Sequence, residues 1–156
     1  MSGLRTPPLH DAFCGSGTIP IEAVLYAHNS APGLGRSFAL ETLVPFVGDA
    51  PRAMMAAERI KAAKAIRTDC LVRVTGSDID PKAIELAMQH AEEAGVDEYI
   101  HLKQMNVADF ASKEKYGFVV TNPPYGERLG ESREAESLYR LMGKTFSKHS
   151  KRKQKH

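Results

Sequence analysis

Nowhere in these 156 residues does an apolar run approach the ~18 residues a membrane-spanning helix needs. The opening Met1-Ser2-Gly3-Leu4-Arg5 lacks the pattern of a secretory signal, so the expected location is cytoplasmic. Cysteine is scarce. Cys14 and Cys70 stand far apart with no CxxC and no Cys/His spacing, so neither a disulfide framework nor a metal site is expected. Internal repeats are missing too, and low complexity is confined to the last few residues. What remains, 42% hydrophobic and 26% charged residues, is ordinary for one globular domain with a core of its own.

The net charge of +2 hides an asymmetry. From Lys148 to His156 there are five Lys or Arg (Lys148, Lys151, Arg152, Lys153, Lys155) and no acid. The rest holds 16 basic against 19 acidic residues, about −3. The tail is either a solvated, disordered terminus or an electrostatic arm for RNA.

The pattern of apolar residues and breakers predicts alternating strands and helices. A short strand over 9–13 runs into Cys14-Gly15-Ser16-Gly17. A helix follows, with Thr18 near its start, Pro20 in its first turn, and Ile21, Val24 and Leu25 facing inward. Residues 28–49 are rich in Gly and Pro and read as a loop, and 50–67 as an Ala-rich helix with Met54, Ala57 and Ile60 at core spacing. A second strand spans 71–77 and ends at Asp78-Ile79-Asp80-Pro81. Asp80 is placed to cap the next helix, and Gly95 to stop it. Strands at 100–105 and 117–121 and a helix over 134–147, with Leu138, Leu141 and Met142 on one face, complete the order. That order implies an α/β fold with a mostly parallel sheet and helices on both faces.

Three motifs carry chemistry. Cys14–Gly17 lies between a strand and a helix, where glycines let backbone approach a ligand and the helix start offers free N–H donors. By itself the loop suits a dinucleotide or phosphate equally well. However, Pro20 breaks the GxGxxG spacing, and no Gly-Lys-Ser/Thr follows. Asp78, at the carboxyl end of the next strand, is suited to accept both ribose hydroxyls of a nucleoside, since Asp80 fills the capping role. The third motif is Asn122-Pro123-Pro124-Tyr125, directly after an apolar strand. Its prolines remove donors and stiffen the turn, leaving the Asn side chain and nearby carbonyls as acceptors. Two such acceptors can hold the hydrogens of a base's exocyclic amine and aim its lone pair, while Tyr125 stacks on the extruded ring.

Together, Asp11 to Ala23, the Asn29-Ser30-Ala31-Pro32-Gly33 loop, Ser77-Asp78-Ile79-Asp80 and Asn122 to Gly130 resemble one family. It is the catalytic domain of THUMP-associated 23S rRNA guanine-N2 methyltransferases, within the class I S-adenosylmethionine fold. The resemblance runs from about Leu9 to Phe146. NPPY is shared with N6-adenine DNA methyltransferases, whereas the Gly-Glu-Arg extension and the Ala-Pro-Gly loop point to the RNA enzymes. The resemblance implies S-adenosylmethionine as cofactor, ribosomal RNA as partner, and a Rossmann-like three-layer sandwich over residues 1–147 with a basic tail at 148–156.

By position, it puts Asp11 and Cys14, Gly15, Ser16 and Gly17 at the methionine end of the cofactor. Asp78 takes the ribose, and Ile79 and Asp80 line the adenine, with Asn106 and Asp109 at its polar edge. Asn122, Pro123, Pro124 and Tyr125 hold the target base, and Arg128 meets phosphate. Cys14 is expected to be only a small residue in its loop.

The chain departs from the family at three points. Ala12 stands where the family has Pro, and the expectation is of no THUMP domain before Leu9 and no further strand after residue 147. Of the order 3-2-1-4-5-7-6, the expectation is that 3-2-1-4 is present and strands 5–7 are not. Phe118-Val119-Val120 would then form an apolar edge open to self-association or a partner chain. Three readings follow: a methyltransferase acting on guanine N2 of ribosomal RNA, a non-catalytic remnant binding cofactor or RNA, and an N6-adenine DNA methyltransferase.

Overall fold

The computed structural model describes residues 7–42, 49–114, 116–125 and 131–150. The chain divides into two compact units, one centred on 25–71 and the other combining 5–24 with 72–156.

The larger unit is built on a parallel sheet of order β3-β2-β1-β4: β1 Leu9–Asp11, β2 Val74–Asp78, β3 Ile100–Gln104 and β4 Phe118–Val119. Register pairs His10 with Thr75 and with Val119, and Gly76 with Leu102. Helix α1, Thr18–Ala27, follows β1, and its first two turns belong to this unit.

Side chains alternate between the two faces of a sheet, so β2 sorts the core. Gly76 faces Cys14 and Leu102, which cluster with Ile84 and Ala87 of a helix here named α4, Pro81–Glu93. A Cβ on Gly76 would lie 2.6 Å from Leu102 Cδ2 and 3.1 Å from Cys14 Cβ, so a side chain at this crossing of loop and strand would force Leu102 to shift. On the other face Thr75 and Ser77 meet His10. The His10 ring lies against Phe110, and Phe110 meets Phe146 edge-on. Phe146 belongs to α5, Glu131–Ser150, so helices cover both faces, as the element order requires.

Helix α4 shows why these residues form a helix where they do. The Asp80 side chain accepts from Lys82 N, Pro81 sits at the first helical position, and Ile84, Ala87 and Ala91 make the buried stripe. Its end is a Schellman motif: Gly95, at φ +67°, donates to Glu92 O, and Val96 donates to Ala91 O. Short 3₁₀ turns over Asp97–Tyr99 and Val107–Asp109 flank β3.

In the smaller unit, α1 ends in the same motif with Asn29 in the glycine role at φ +54°. Helices α2, Ala39–Thr42, and α3, Ala50–Lys64, follow. The region read as a loop over 28–49 thus contains a short helix. The stripe expected at Met54, Ala57 and Ile60 is also displaced, for Met54 and Ile60 are 57% and 59% exposed. Pro51, Met55, Arg59 and Ala62 form the half-buried face instead. The helix is turned by one residue because the Arg59 guanidinium reaches inward to Glu41, 2.7 Å away.

Other boundaries also differ from the sequence reading. β2 begins at Val74 rather than at Leu71, which is 63% exposed. β4 has two paired residues, though Val120 N still donates to His10 O. The last helix extends beyond 134–147 at both ends. Residues 126–130, with Arg128, and the tail from 151 lie outside the described residues.

Candidate functional site

In an open parallel sheet, ligands gather outside the carboxyl ends of the strands, where neighbouring connections run in opposite directions. Here the ends of β1, β2, β3 and β4 all meet on one side of a cleft of about 510 Å³. Phe13, Asp78 and Ile79 line it from the β1 and β2 ends, and Asn106 and Val107 from the β3 end. Asn122 and Pro124 line it after β4, and Leu138 and Leu141 of α5 close the apolar wall.

The β1–β2 side is tied together by backbone donors. Gly15 N donates to Asp78 Oδ2 at 3.0 Å, and Asp80 N donates to Asp78 Oδ1 at 3.0 Å. Cys14 N donates to Ser77 O at 2.9 Å. Gly17, at φ +86°, leaves the loop so close to α4 that a Cβ there would sit 3.0 Å from Ala87 Cβ. His90 of α4 lies 2.9 Å from Ser16 O; a carbonyl can only accept, so Nδ1 carries the proton and donates. Asp78 therefore organises the glycine loop as well as facing the cleft. Each of its oxygens has one backbone donor and keeps a lone pair to offer.

Beneath the cleft Asp11 is 1% exposed. Its Oδ1 accepts from Thr121 Oγ1 at 2.6 Å and from Phe13 N at 3.1 Å, joining the ends of β1 and β4. Burial raises its pKa, the Thr121 and Phe13 hydrogen bonds pull it back, and the Asp78 charge raises it further. The Cys14 thiol is pushed up to about 12, chiefly by burial and then by Asp11 and Asp78, so it is neutral packing. His10 is lowered to about 4 by burial, with Lys103 adding to the effect.

Of the residues singled out in the sequence, Asp78, Ile79, Asn106, Asn122 and Pro124 reach the cleft wall. Asp80 is committed to the α4 cap. Asn106 Oδ1 caps the Val107–Asp109 turn through Ala108 N, and Asp109 points to solvent. Cys14, Gly15, Ser16 and Gly17 form the loop behind Asp78 rather than the wall, and Pro123 is half-buried beside it. Tyr125 is 62% exposed. Sequence reading missed Thr121, whose signal is its place opposite Asp11 once β1 and β4 are neighbours. It also missed His90, one turn beyond Ala87, and Gln104, whose amide donates to Ile79 O. Among the described residues no three His, Cys, Asp or Glu side chains come together as a metal site, and no helix is long and apolar enough to cross a membrane.

The chain is 41% identical over 139 residues to YpsC of Bacillus subtilis (strain 168), whose name gives RNA methyltransferase as a provisional activity; the match covers 89% of this chain and 35% of that protein. It is 39% identical over 150 residues to the ribosomal RNA large subunit methyltransferase K/L of Shewanella sp. (strain W3-18-1), covering 94% of this chain and 21% of that one. Among solved structures, one from Listeria monocytogenes str. 4b F2365, described as a predicted N6-adenine-specific DNA methylase, superposes with a TM-score of 0.80 at 43% identity, over 91% of this chain and 36% of that one. SMU.472, described provisionally as a methyltransferase and complexed with SAH, gives 0.80 at 36% identity, over 94% and 38%. The chain thus spans between about a fifth and two fifths of the length of these proteins. The parallel 3-2-1-4 sheet is the Rossmann-like arrangement of class I methyltransferases. Residues 2–155 match the family described as RMKL-like, methyltransferase domain, and the chain belongs to that family.

Proposed function

We propose that this chain binds S-adenosylmethionine and methylates guanine N2 of ribosomal RNA in the cytoplasm. The observation that carries the reading is that Asp78 and Asn122, from the ends of β2 and β4, line one cleft. A volume of about 510 Å³ is within the range of small-molecule sites and suits a nucleoside cofactor with a base beside it. The chemistry of the wall fits as well. Asp78 keeps lone pairs for two ribose hydroxyls, Ile79 is an exposed apolar surface for adenine, and Gly15 has open space above its Cα. When bound, S-adenosylmethionine supplies an electrophilic methyl group.

The chain's own residues supply position. The Asn122 side-chain oxygen accepts one hydrogen of the base's exocyclic amine, and a carbonyl of the proline turn accepts the other, which aims the nitrogen lone pair. Tyr125 offers its exposed ring to the face of the base. A neutral amine held this way needs no deprotonation before attack, and the methylated nitrogen afterwards releases one proton to water, so orientation and polarisation account for most of the rate. The K/L relative favours ribosomal RNA. The Listeria description favours adenine N6 in DNA as the second reading, since the same acceptors suit either exocyclic amine.

The test is nucleoside mass spectrometry after incubating the chain and S-adenosylmethionine with bare 23S ribosomal RNA and, separately, duplex DNA. N2-methylguanosine from RNA is expected. N6-methyldeoxyadenosine from DNA would replace this reading with the second. Calorimetric binding of S-adenosylhomocysteine without methylation of either would make the chain a binding remnant.

A further inference from the structure

Arginine is distributed unevenly over the two units, and only some of it is neutralised. Residues 25–71 carry six Lys or Arg against four Asp or Glu, and the remaining fifteen of each sign cancel. The whole net positive charge of the chain therefore sits in the smaller unit. Within it, Arg59 and Arg52 lie at one residue, Glu41, and Arg36 lies against the neighbouring Phe38 ring.

Arg59 takes the Glu41 carboxylate for itself. Its two terminal nitrogens donate to Glu41 Oε2 at 2.7 Å and Oε1 at 2.8 Å, and one of them also donates to Arg36 O. The Arg59 bonds hold the Glu41 carboxyl at about 2, so it stays ionised at any working pH. Glu41 Oε1 also accepts from Phe38 N, so the carboxylate is spent on internal structure.

Arg36 and Arg52 are left over. Both are exposed, and among the described residues neither lies within ion-pair distance of a carboxylate. The Arg36 guanidinium lies 5.3 Å from the centroid of the Phe38 ring, with Arg59 at 5.8 Å. Stacking fixes its plane and leaves its N–H edge unspent. Arg52 donates to Glu41 O at 3.4 Å, a long bond that leaves most of its donors for solvent. Elsewhere in this unit Lys61 pairs with Glu58 and Arg67 with Asp69, so unpaired guanidinium is a local property of this cluster.

We infer that Arg36 and Arg52 form a phosphate-docking surface for RNA, distinct from the cleft residues. The planar forks of Arg36, which lies against the Phe38 ring, and of Arg52 match the bidentate geometry of phosphodiester oxygens. The surface carries no base-reading array, so it adds affinity and register rather than sequence choice. The inference rests on the RNA-substrate reading above.

Fluorescence anisotropy with a labelled single-stranded 23S ribosomal RNA segment, over a salt series, tests it on the 156-residue chain. Arg36→Glu/Arg52→Glu should weaken binding on the order of 10-fold and flatten the slope of log K against log salt by about 1.4, the value for two phosphates on a single strand. Arg36→Lys/Arg52→Lys should keep most of the slope. The melting temperature and the affinity for S-adenosylhomocysteine should match the parent in both. Unchanged RNA affinity and slope in the charge-reversed chain, with the parent binding RNA, would overturn the docking surface and leave the methyltransferase reading standing. A parent chain that binds S-adenosylhomocysteine but no RNA would instead remove the RNA reading and this surface with it.

Discussion

The two sides of the cleft are built differently. On the β1–β2 side nearly every polar group is bonded: Asp78 holds Gly15 and Asp80, His90 holds Ser16, and Gly17 is pressed on Ala87. On the β4 side Thr121 is bonded to Asp11, but Asn122 and Tyr125 stand exposed beyond it. A rigid, backbone-lined side suits a ligand of one shape. An exposed asparagine and ring on a proline-stiffened turn suit a partner that arrives from solvent and must be gripped by its edge. This contrast supports the division of labour proposed here, with cofactor on one side and target base on the other.

The sharpest way to break that division is Asn122→Ala. If Asn122 serves only the base, methyl transfer should fall by at least about 100-fold, the scale for losing one preorganised polar group at a reacting centre. Affinity for S-adenosylhomocysteine should not change. Single-turnover rates and calorimetry separate the two, and lost cofactor affinity would put Asn122 on the other side. Asp78→Ala should do the reverse. It should weaken cofactor binding by about 1.5–3 kcal/mol, and it should also lower the melting temperature, because the amides of Gly15 and Asp80 lose their acceptor. Unchanged affinity would mean that Asp78 serves the glycine loop alone.

A smaller effect distinguishes the two loop glycines. Gly17→Ala meets both a positive φ and Ala87 Cβ at 3.0 Å, so it should destabilise by about 1–3 kcal/mol. Gly15→Ala meets only the φ of +50° and open space, and should cost about 1 kcal/mol. Denaturant midpoints at constant m-value give both numbers. Equal losses would show that the close approach of loop to helix contributes nothing.

Much of this was legible in the sequence because it is local. The Asp80 cap and the Gly95 stop follow from spacing, whereas the strand order follows from the family resemblance and is as that resemblance implies. What stayed hidden depends on partners far along the chain. Thr121 answers Asp11 across 110 residues, and Asp78 answers Gly15 across 63, which no local pattern encodes. The displaced face of α3 has the same origin. Apolar periodicity selects Met54 and Ile60, but an arginine–glutamate pair eighteen residues apart sets the rotation of the helix. The double use of Asp78 is hidden in the sequence because Asp80, two residues on, already supplies the helix cap.

The least of the expected effects concerns Asp11, where the two sides join. Its carboxylate is buried, and burial raises its pKa despite the Thr121 and Phe13 bonds. A carboxyl whose folded value exceeds the unfolded 3.8 holds its proton more tightly when folded. Through this group alone, stability rises as pH falls through the folded value toward 3.8, and the cost of the buried charge is felt in full above it. Asparagine at 11 keeps an oxygen to accept from Thr121 and Phe13 while removing that charge. Asp11→Asn should therefore hold or slightly raise the melting temperature of the cofactor-free chain at pH 7, by an amount worth about 1 kcal/mol or less. The gap between variant and parent should narrow as pH is lowered. If the variant is instead less stable at pH 7 and the deficit shrinks in acid, the ionised carboxylate is a net stabiliser, and the bonds to Thr121 and Phe13 outweigh its burial.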